Sequence, residues 1–286
     1  LRNLQVFALG NIRLSGSIPE WLQNCTKLQV LDLSWNSLTG PIPTWIGSFP
    51  HLFYLDLSNN SLSGSIPPKL FSLPALQYLD TNLTGLQSVV SNLAIKQKVD
   101  VPELQYTQVS AFPPSIYLSH NRLQGSIPSQ VGVFVLLLDM DLSFNNLSGN
   151  IPETIANMTD LESLDLSHNS LTGEIPPVLA NSWFLSYMSV SYNKLEGSIP
   201  LRNNFSTFSN KSYEGNPGLC GAPLSFPCGT DDATKFDPNS SSSRRPSSIP
   251  TPLQATDIFE PIGVIIGYVV FLVAWFTLKL TRRKID

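Results

Sequence analysis

Residues 31–43, LDLSWNSLTGPIP, decide the fold because almost the same phrase returns along the chain. It reads LDLSNNSLSGSIP at 55–67 and LDLSHNSLTGEIP at 164–176. The pattern Leu-x-Gly-x-Ile-Pro begins at Leu14, Leu38, Leu62, Leu123, Leu147, Leu171 and Leu195, so five of the six intervals are 24 residues and one is 61. A fixed period of this length predicts a solenoid of stacked structural repeats.

Each unit is predicted to contain a short strand followed by a turn. Side chains alternate along a strand, so Leu31 and Leu33 point inward while Val30, Asp32 and Ser34 point outward. The Asn that follows the strand can hydrogen-bond the backbone of adjoining turns; it is Asn36, Asn60, Asn121, Asn145, Asn169 and Asn193 in successive units. One unit cannot bury its own leucines, so the units must stack, with a parallel sheet on the concave side. A proline in every unit argues against an ordinary domain of leucine-rich helices.

These residues resemble the plant-type leucine-rich repeat, and the resemblance covers residues 1–228. The fold class it implies is an α/β-type solenoid of 24-residue units. The 61-residue interval equals one unit plus 37 extra residues, which predicts an island inserted at 79–115 between repeats at 1–78 and 116–204. The ends of this island must return to neighbouring strand positions.

Two cysteines follow the last repeat, in the segment 205–228, where a solenoid must cover its exposed apolar end. Cys220 and Cys228 are predicted to form a disulfide, which requires an oxidising compartment. A structural zinc site would need two further ligands, so this alternative is rejected. The remaining cysteine, Cys25, is predicted to be a buried core thiol.

The last part of the chain is predicted to reach and cross a membrane. Residues 229–257 are rich in Ser and Pro and read as an extended stalk. Residues 262–278 carry no charge, and Lys279 can snorkel, which predicts a transmembrane helix at 262–280. The basic residues that follow the span place the stub 281–286 in the cytoplasm. The expected protein is therefore a single-pass type I protein of the plasma membrane with its repeats outside.

Within this span, Gly263 and Gly267 form a small-xxx-small pair that would let another helix approach closely. Asn-x-Ser/Thr triplets agree with passage through the secretory pathway, although Asn-rich and Ser-rich repeats also generate such triplets by composition. The predicted glycosylation sites are Asn24, Asn59, Asn82, Asn146, Asn157, Asn204, Asn210 and Asn239.

Charge and composition argue against several classes of function. The net charge is -4, with no basic stripe of the kind that nucleic-acid binding requires. Ser, His and Asp occur together in LDLSHN, but neighbouring strand residues point apart and cannot form a catalytic triad. We therefore expect no enzyme activity, no cofactor and no metal site.

The whole arrangement resembles the plant receptor-like proteins, in which a receptor kinase acts as adapter or co-receptor because the protein itself carries no kinase. Only a short stub follows the span here, so such a membrane partner is expected. Leu1 falls within a repeat, and neither an initiator Met nor a signal peptide precedes it. The sequence is therefore expected to be a piece of a longer ectodomain.

The end of the island, LQYTQVSAFPPSIYLSHNRL at 104–123, resembles the receptors for phytosulfokine and for tyrosine-sulfated glycopeptides. That resemblance implies that an extracellular peptide pairs with the island as an added strand. A sulfate would favour a nearby cation. The candidate ligand-binding residues are Lys96, Lys98, Tyr106, Tyr117, Trp35 and Tyr54. For the lysines a solvated loop face stays an alternative, and for the aromatics packing against neighbours does.

A second function is kept open, that of an extracellular inhibitor or decoy that binds a protein without signalling. Plant polygalacturonase inhibitors resemble these repeats but lack the island and the span. Those two features favour the receptor.

Overall fold

Seven short parallel strands, one from each unit, form the main sheet of the computed structural model. The structure describes residues 2–78, 89–95, 104–108 and 112–228, and for 89–95 and 104–108 the backbone alone. The strands are β1 (Val6–Ala8), β3 (Val30–Asp32), β5 (Tyr54–Asp56), β9 (Ser115–Tyr117), β11 (Asp139–Asp141), β13 (Ser163–Asp165) and β15 (Tyr187–Ser189), in that spatial order. Every neighbouring pair keeps the same register, as in Leu31 beside Leu55. The predicted parallel sheet is confirmed.

The Leu-x-Gly-x-Ile-Pro phrase forms a second parallel sheet that the sequence did not predict. Its strands are β2 (Ser15–Gly16), β4 (Ser37–Gly40), β6 (Ser61–Ser65), β10 (Arg122–Gly125), β12 (Asn146–Asn150), β14 (Ser170–Gly173), β16 (Lys194–Ser198) and β17 (Gly218–Cys220). The glycine of the phrase has a positive φ in each unit, for example 82° at Gly40. That left-handed conformation strains a side-chain-bearing residue, which explains why glycine recurs there.

Short 3-10 helices follow the proline of each phrase. They span Glu20–Asn24, Thr44–Ser48, Pro68–Ser72, Pro74–Leu76, Ser129–Val133, Glu153–Asn157, Pro177–Asn181, Asn203–Ser206 and Asn210–Ser212. Among the described residues the helical segments are all of this type, which corrects the α in the predicted α/β class. Each of them contains three to five residues, the short length that is typical of 3-10 helices.

The leucines of the repeats form one continuous core between the two sheets and the 3-10 helices. Leu31, Leu33 and Leu38 are each at most 1% exposed, and their counterparts in the later units are equally buried. In the first unit the counterparts are only partly buried; they are Phe7, Leu9 and Leu14. Fully burying such a side chain contributes about 1.5–3 kcal/mol. Each unit supplies apolar surface to its neighbours on both sides, which is why the core can extend along the whole solenoid.

The recurring asparagines bind the turns together as predicted. Asn145 accepts a hydrogen bond from the Leu123 amide at 3.0 Å, and its Nδ2 donates to the carbonyls of Leu118, Leu142 and Ser143 at 3.0–3.2 Å. The other predicted asparagines repeat this pattern. The structure adds one more in the C-terminal cap: Asn216 accepts from the Leu195 amide.

The C-terminal end of the solenoid is closed by the segment 205–228. Cys220 and Cys228 form the predicted disulfide, with their Cα atoms 4.9 Å apart. Phe205 and Tyr213 are buried within 1% exposure against the last repeat. Cys25, the remaining cysteine, is buried and unbridged as predicted, and burial raises the pKa of its thiol.

The island does not interrupt the main sheet. Strand β5 pairs directly with β9, so Tyr54 lies beside Ser115 although most of the island separates them in sequence. The described backbone within the island forms an antiparallel pair, β7 (Val89–Ile95) with β8 (Leu104–Gln108). The prediction that its ends return to adjacent strand positions is therefore confirmed.

The described residues contain no helix that is both long and apolar enough to span a bilayer. The predicted transmembrane helix at 262–280, with Gly263 and Gly267, lies outside the described residues.

Candidate functional site

The outward face of the main sheet differs on the two sides of the island. On strands β3 and β5, Val30 and Tyr54 are fully buried, because Phe112 at the end of the island lies over them and is itself 3% exposed. The rings of Tyr54 and Phe112 meet edge to face at 5.2 Å. We call this pair of strands the sealed half.

Beyond the island, the same face is polar and accessible. A cavity of about 150 Å³ opens over strands β9, β11, β13 and β15. Its lining includes Tyr117, Asp139, Asp141, Asp165 and Tyr187. We call these four strands the open half.

Two tyrosines fix carboxylates at either end of the open half. The Tyr117 hydroxyl donates to Asp139 Oδ2 at 3.3 Å, and the Tyr187 hydroxyl donates to Asp165 Oδ2 at 3.1 Å. Both bonds join side chains on adjacent strands. The open half therefore presents hydrogen-bond acceptors and aromatic surface together.

Burial controls the ionisation of this face. It raises the pKa of Asp139, although the hydrogen bond from Tyr117 opposes that shift. Burial first, and then the charge of Asp139, raise the pKa of Tyr117 above its usual range. Burial and the charge of Asp165 raise the pKa of Tyr187 to about 12. The tyrosines consequently stay protonated donors at physiological pH.

The repeated aspartates of LDLS have a structural task. Asp56 Oδ1 accepts a hydrogen bond from the Ser58 amide at 2.9 Å, and the other three aspartates of the row accept equivalent bonds at 2.9–3.0 Å; they are Asp32, Asp141 and Asp165. The row therefore orders the ends of the strands. Burial makes it costly to ionise the carboxyl group of Asp56, and this raises its pKa well above the usual range.

An aromatic ladder runs along the edge of the open half. The rings of His120, Phe144, His168 and Tyr192 stack on one another with centroids 4.0–4.4 Å apart and planes within 16°. Each residue has a φ of 52–54°, which places the four side chains in one row. Sequence reasoning missed the ladder, although all four residues occupy the position before the recurring Asn.

The predicted ligand-binding residues are distributed over these regions. Tyr117 lies in the open half, Tyr54 is enclosed in the sealed half, and Trp35 is half-buried at the ladder position of an earlier unit, with a φ of 54°. Tyr106 lies in β8 opposite Leu93, where the backbone alone is described. Lys96 and Lys98 lie outside the described residues.

The predicted glycosylation sites differ in their exposure. Exposed asparagine side chains are found at Asn24, Asn146, Asn157 and Asn210, whereas Asn59 is half-buried and Asn204 is described by its backbone alone. Asn82 and Asn239 lie outside the described residues.

A larger open cavity, of about 410 Å³, lies away from the main sheet. Its lining joins Val178 and Asn181 of one unit to Leu201 and Arg202 near the cap. Of the predicted ligand-binding residues whose side chains the structure describes, none contributes to it.

Comparison with known proteins identifies the repeats and finds a relative that matches nearly the whole chain. The Leucine Rich Repeat family model matches residues 27–49, 51–73, 137–158 and 160–182. Phytosulfokine receptor 2 of Arabidopsis thaliana is 59% identical over 280 residues, which cover 97% of this chain and 26% of the receptor. The chain is a leucine-rich repeat protein homologous to the Arabidopsis phytosulfokine receptors. It spans about a quarter of the length of phytosulfokine receptor 2.

Solved structures of plant receptor ectodomains share the fold of this phytosulfokine-receptor homologue. The ectodomain of the Arabidopsis receptor kinase GASSHO1/SCHENGEN3, solved with CASPARIAN STRIP INTEGRITY FACTOR 2, matches with a TM-score of 0.56 and 31% identity over 80% of this chain and 26% of that one. Arabidopsis HAESA, solved with the peptide hormone IDA and the co-receptor SERK1, matches with a TM-score of 0.58 and 30% identity over 76% of this chain and 30% of that one.

Proposed function

We propose that this chain is part of a cell-surface receptor-like protein that binds an extracellular peptide and signals through a partner receptor kinase. The observation that carries the proposal is the identity of 59% with a phytosulfokine receptor over nearly the whole chain, an extent that takes in the island.

The main sheet offers a second support. The island returns its chain onto the sheet through Phe112 and leaves the open half accessible beside it. Loops held by a rigid scaffold are frequent binding sites. A peptide lying between the island and the open half would meet backbone groups on one side and Tyr117 with its carboxylate partner on the other.

The paired strands β7 and β8 suit recognition by strand addition. A two-stranded sheet has two edges, and an extended peptide that pairs with a free edge gains affinity from main-chain hydrogen bonds of any sequence. We propose that Lys96 and Lys98, which follow β7 in the sequence, supply the charge that a sulfated tyrosine requires, and that Tyr106 of β8 supplies aromatic contact.

Membrane attachment completes the proposal. The span at 262–280, with the stub 281–286 in the cytoplasm, would place the repeats outside the cell in the single-pass type I orientation. Gly263 and Gly267 would form the surface on which the kinase partner packs its own helix.

Isothermal titration of the full chain in detergent micelles with sulfated and unsulfated phytosulfokine tests the ligand. We expect binding that depends on the sulfate and is lost in Lys96→Glu. The matched control is Lys27→Glu, which reverses an exposed charge on the repeats far along the sequence from the island.

Equal affinity for both peptides, or equal loss in both variants, would reject the sulfate site. Binding that is retained while no receptor kinase co-purifies with the chain would instead favour the inhibitor or decoy.

A further inference from the structure

Two large aromatic side chains stand exposed next to each other on the last complete repeat. Trp183 is 72% exposed and Phe184 is 63% exposed. The equivalent pairs of the other units are smaller or more polar: Thr26 with Lys27, Pro50 with His51, Pro74 with Ala75, Val135 with Leu136, and Thr159 with Asp160. Adjacent exposed aromatic side chains of this kind are candidates for a further contact.

A predicted glycosylation site lies one unit away, at the repeat position that leads into this pair. Asn157 ends the 3-10 helix Glu153–Asn157, and Asn181 ends the helix Pro177–Asn181, which packs beside it. Asn181 is followed within two residues by Trp183, so their Cα atoms are at most about 7 Å apart. Asn157 therefore ends the 3-10 helix that neighbours the one leading into the aromatic pair.

The two units have the same backbone hydrogen bond at this position, so they can be compared residue by residue. The Met158 amide bonds the carbonyl of Ile155, and the Ser182 amide bonds the carbonyl of Leu179, both at 3.0 Å. In the first unit the sequence continues as Asn-Met-Thr, a glycosylation triplet with an exposed threonine hydroxyl. In the second, Trp183 replaces the threonine, so the triplet is lost where the aromatic surface appears.

We infer that the pair Trp183–Phe184 is a platform for the N-linked glycan of Asn157. An N-acetylglucosamine ring has one face of C–H groups, and the face of an aromatic ring carries the negative part of its quadrupole. Contacts of C–H groups with an aromatic face are individually weak. Tethering compensates for this, because a short linker gives an effective concentration in the millimolar range.

A glycan also fits this surface better than a second copy of the chain would. Asp160 and Glu162 of the preceding unit lie beside the pair: the Glu162 carbonyl accepts from the Ser186 amide at 2.8 Å, two residues past Phe184. Two copies facing each other would bring these carboxylates together, which costs free energy, whereas a neutral sugar meets no such penalty.

The chain contains a matched control for this inference. Asn24 occupies the same repeat position as Asn157, within an equivalent triplet Asn-Cys-Thr, and is also exposed. The next unit presents Pro50 and His51 in place of Trp183 and Phe184. A glycan on Asn24 therefore lacks an aromatic pair at the position equivalent to Trp183 and Phe184.

The inference rests on the proposed extracellular location. One experiment distinguishes a failure of the platform from a failure of that location. The full chain is produced in plant cells, glycopeptides are mapped by mass spectrometry, and oxidation of Trp183 by hydroxyl radicals is measured. Thr159→Val removes the triplet of Asn157, and Thr26→Val removes that of Asn24. We expect Trp183 oxidation to rise severalfold in Thr159→Val and to stay unchanged in Thr26→Val.

Thermal melting supplies an independent readout. Loss of the Asn157 glycan should lower the Tm by about 2–4 °C in the natural chain. It should change the Tm little in a chain that also carries Trp183→Ala and Phe184→Ala, because the platform is then absent. Alanine is chosen at 183 because threonine there would create a new triplet at Asn181.

Equal oxidation of Trp183 with and without Thr159→Val would overturn the platform while leaving the receptor proposal intact. Protection that survives Thr159→Val and grows with protein concentration would overturn it in favour of a second copy. If neither Asn24 nor Asn157 carried a glycan, the extracellular location itself would fail.

Discussion

The sealed and open halves of the main sheet are built on the same backbone, yet they present opposite surfaces. Both halves keep one register, one aspartate row and one asparagine row. In the sealed half the first strand position holds Val30 or Tyr54, and Phe112 covers both. In the open half the same position holds Asp139 on one strand and Tyr187 on another. Asp139 accepts a hydrogen bond from a tyrosine hydroxyl on the neighbouring strand, and Tyr187 donates one to a carboxylate on the neighbouring strand. The repeat thus supplies a common backbone, and the outward side chains decide whether the face of the sheet is covered or accessible.

The largest effect should come from removing the cover of the sealed half. Phe112→Ala would expose Val30 and Tyr54 and leave a cavity, and changes of this type cost about 3–5 kcal/mol. Urea unfolding followed by circular dichroism gives the free energy of unfolding. The control is Phe144→Ala, a truncation of a ladder residue that is 42% exposed and should cost much less. Equal losses in the two variants would show that Phe112 seals nothing.

The next effect tests whether the two halves share one frame. Asn60→Ala in the sealed half and Asn145→Ala in the open half each leave one amide and several carbonyls without their side-chain partner. Orphaned groups cost about 1–3 kcal/mol, so we expect losses of this size that agree between the halves. A much smaller loss at Asn60, measured by the same unfolding experiment, would mean that the sealed half depends on its cover instead.

The pH dependence of stability should differ between the buried aspartates of the two halves, Asp56 in the sealed half and Asp141 in the open half. Burial raises the folded-state pKa of Asp56 well above its usual range, and raises that of Asp141 as well. Stability from such a group is complete below the unfolded pKa of about 3.9 and is lost as pH rises through the raised pKa. Asp56→Asn keeps an acceptor for the Ser58 amide without the charge.

The variant Asp56→Asn should therefore gain stability over the natural chain as pH increases from 4 to 7, and Asp141→Asn should gain less. Thermal melts across this pH range measure the difference. A gain that is independent of pH at both positions would contradict the assigned role of burial.

The smallest effect is expected at the exposed end of the open half. Tyr187→Phe removes the hydroxyl that donates to Asp165, a neutral donor to a charged acceptor on a side chain that is 43% exposed. Because solvent screens this partly exposed bond, the expected loss is only about 0.5–1 kcal/mol near neutral pH. Titration of tyrosine absorbance should also lose one group with a pKa of about 12. The matched control Tyr78→Phe, at a side chain that is 70% exposed, should leave stability unchanged.

Much of the frame follows from the sequence because its contacts repeat with the chain. The period of 24 residues places leucines inward at every turn and puts an asparagine where three carbonyls need a donor. Cys220 and Cys228 lie only 8 residues apart in the sequence of the cap, which puts them within reach of each other. Two elements of the repeat were not predicted from the sequence. The glycine phrase was not predicted to form strands, but it pairs into a second sheet whose partners lie in other units. The return segments contain 3-10 helices of three to five residues, a type that the repeat pattern alone did not distinguish from α-helix.

The sequence by itself determined the solenoid, the parallel sheet, the cap and the place of the island, because each depends on spacing that recurs or on chain-adjacent residues. The tertiary structure alone decided which outward side chains are accessible. Tyr54 was a candidate for ligand contact and is enclosed by Phe112, 58 positions later in the chain. The aromatic ladder and the exposed Trp183 likewise depend on how one unit sits against the next. Contacts between units have no local signature, since each side chain is compatible with either surface until its neighbour is in place.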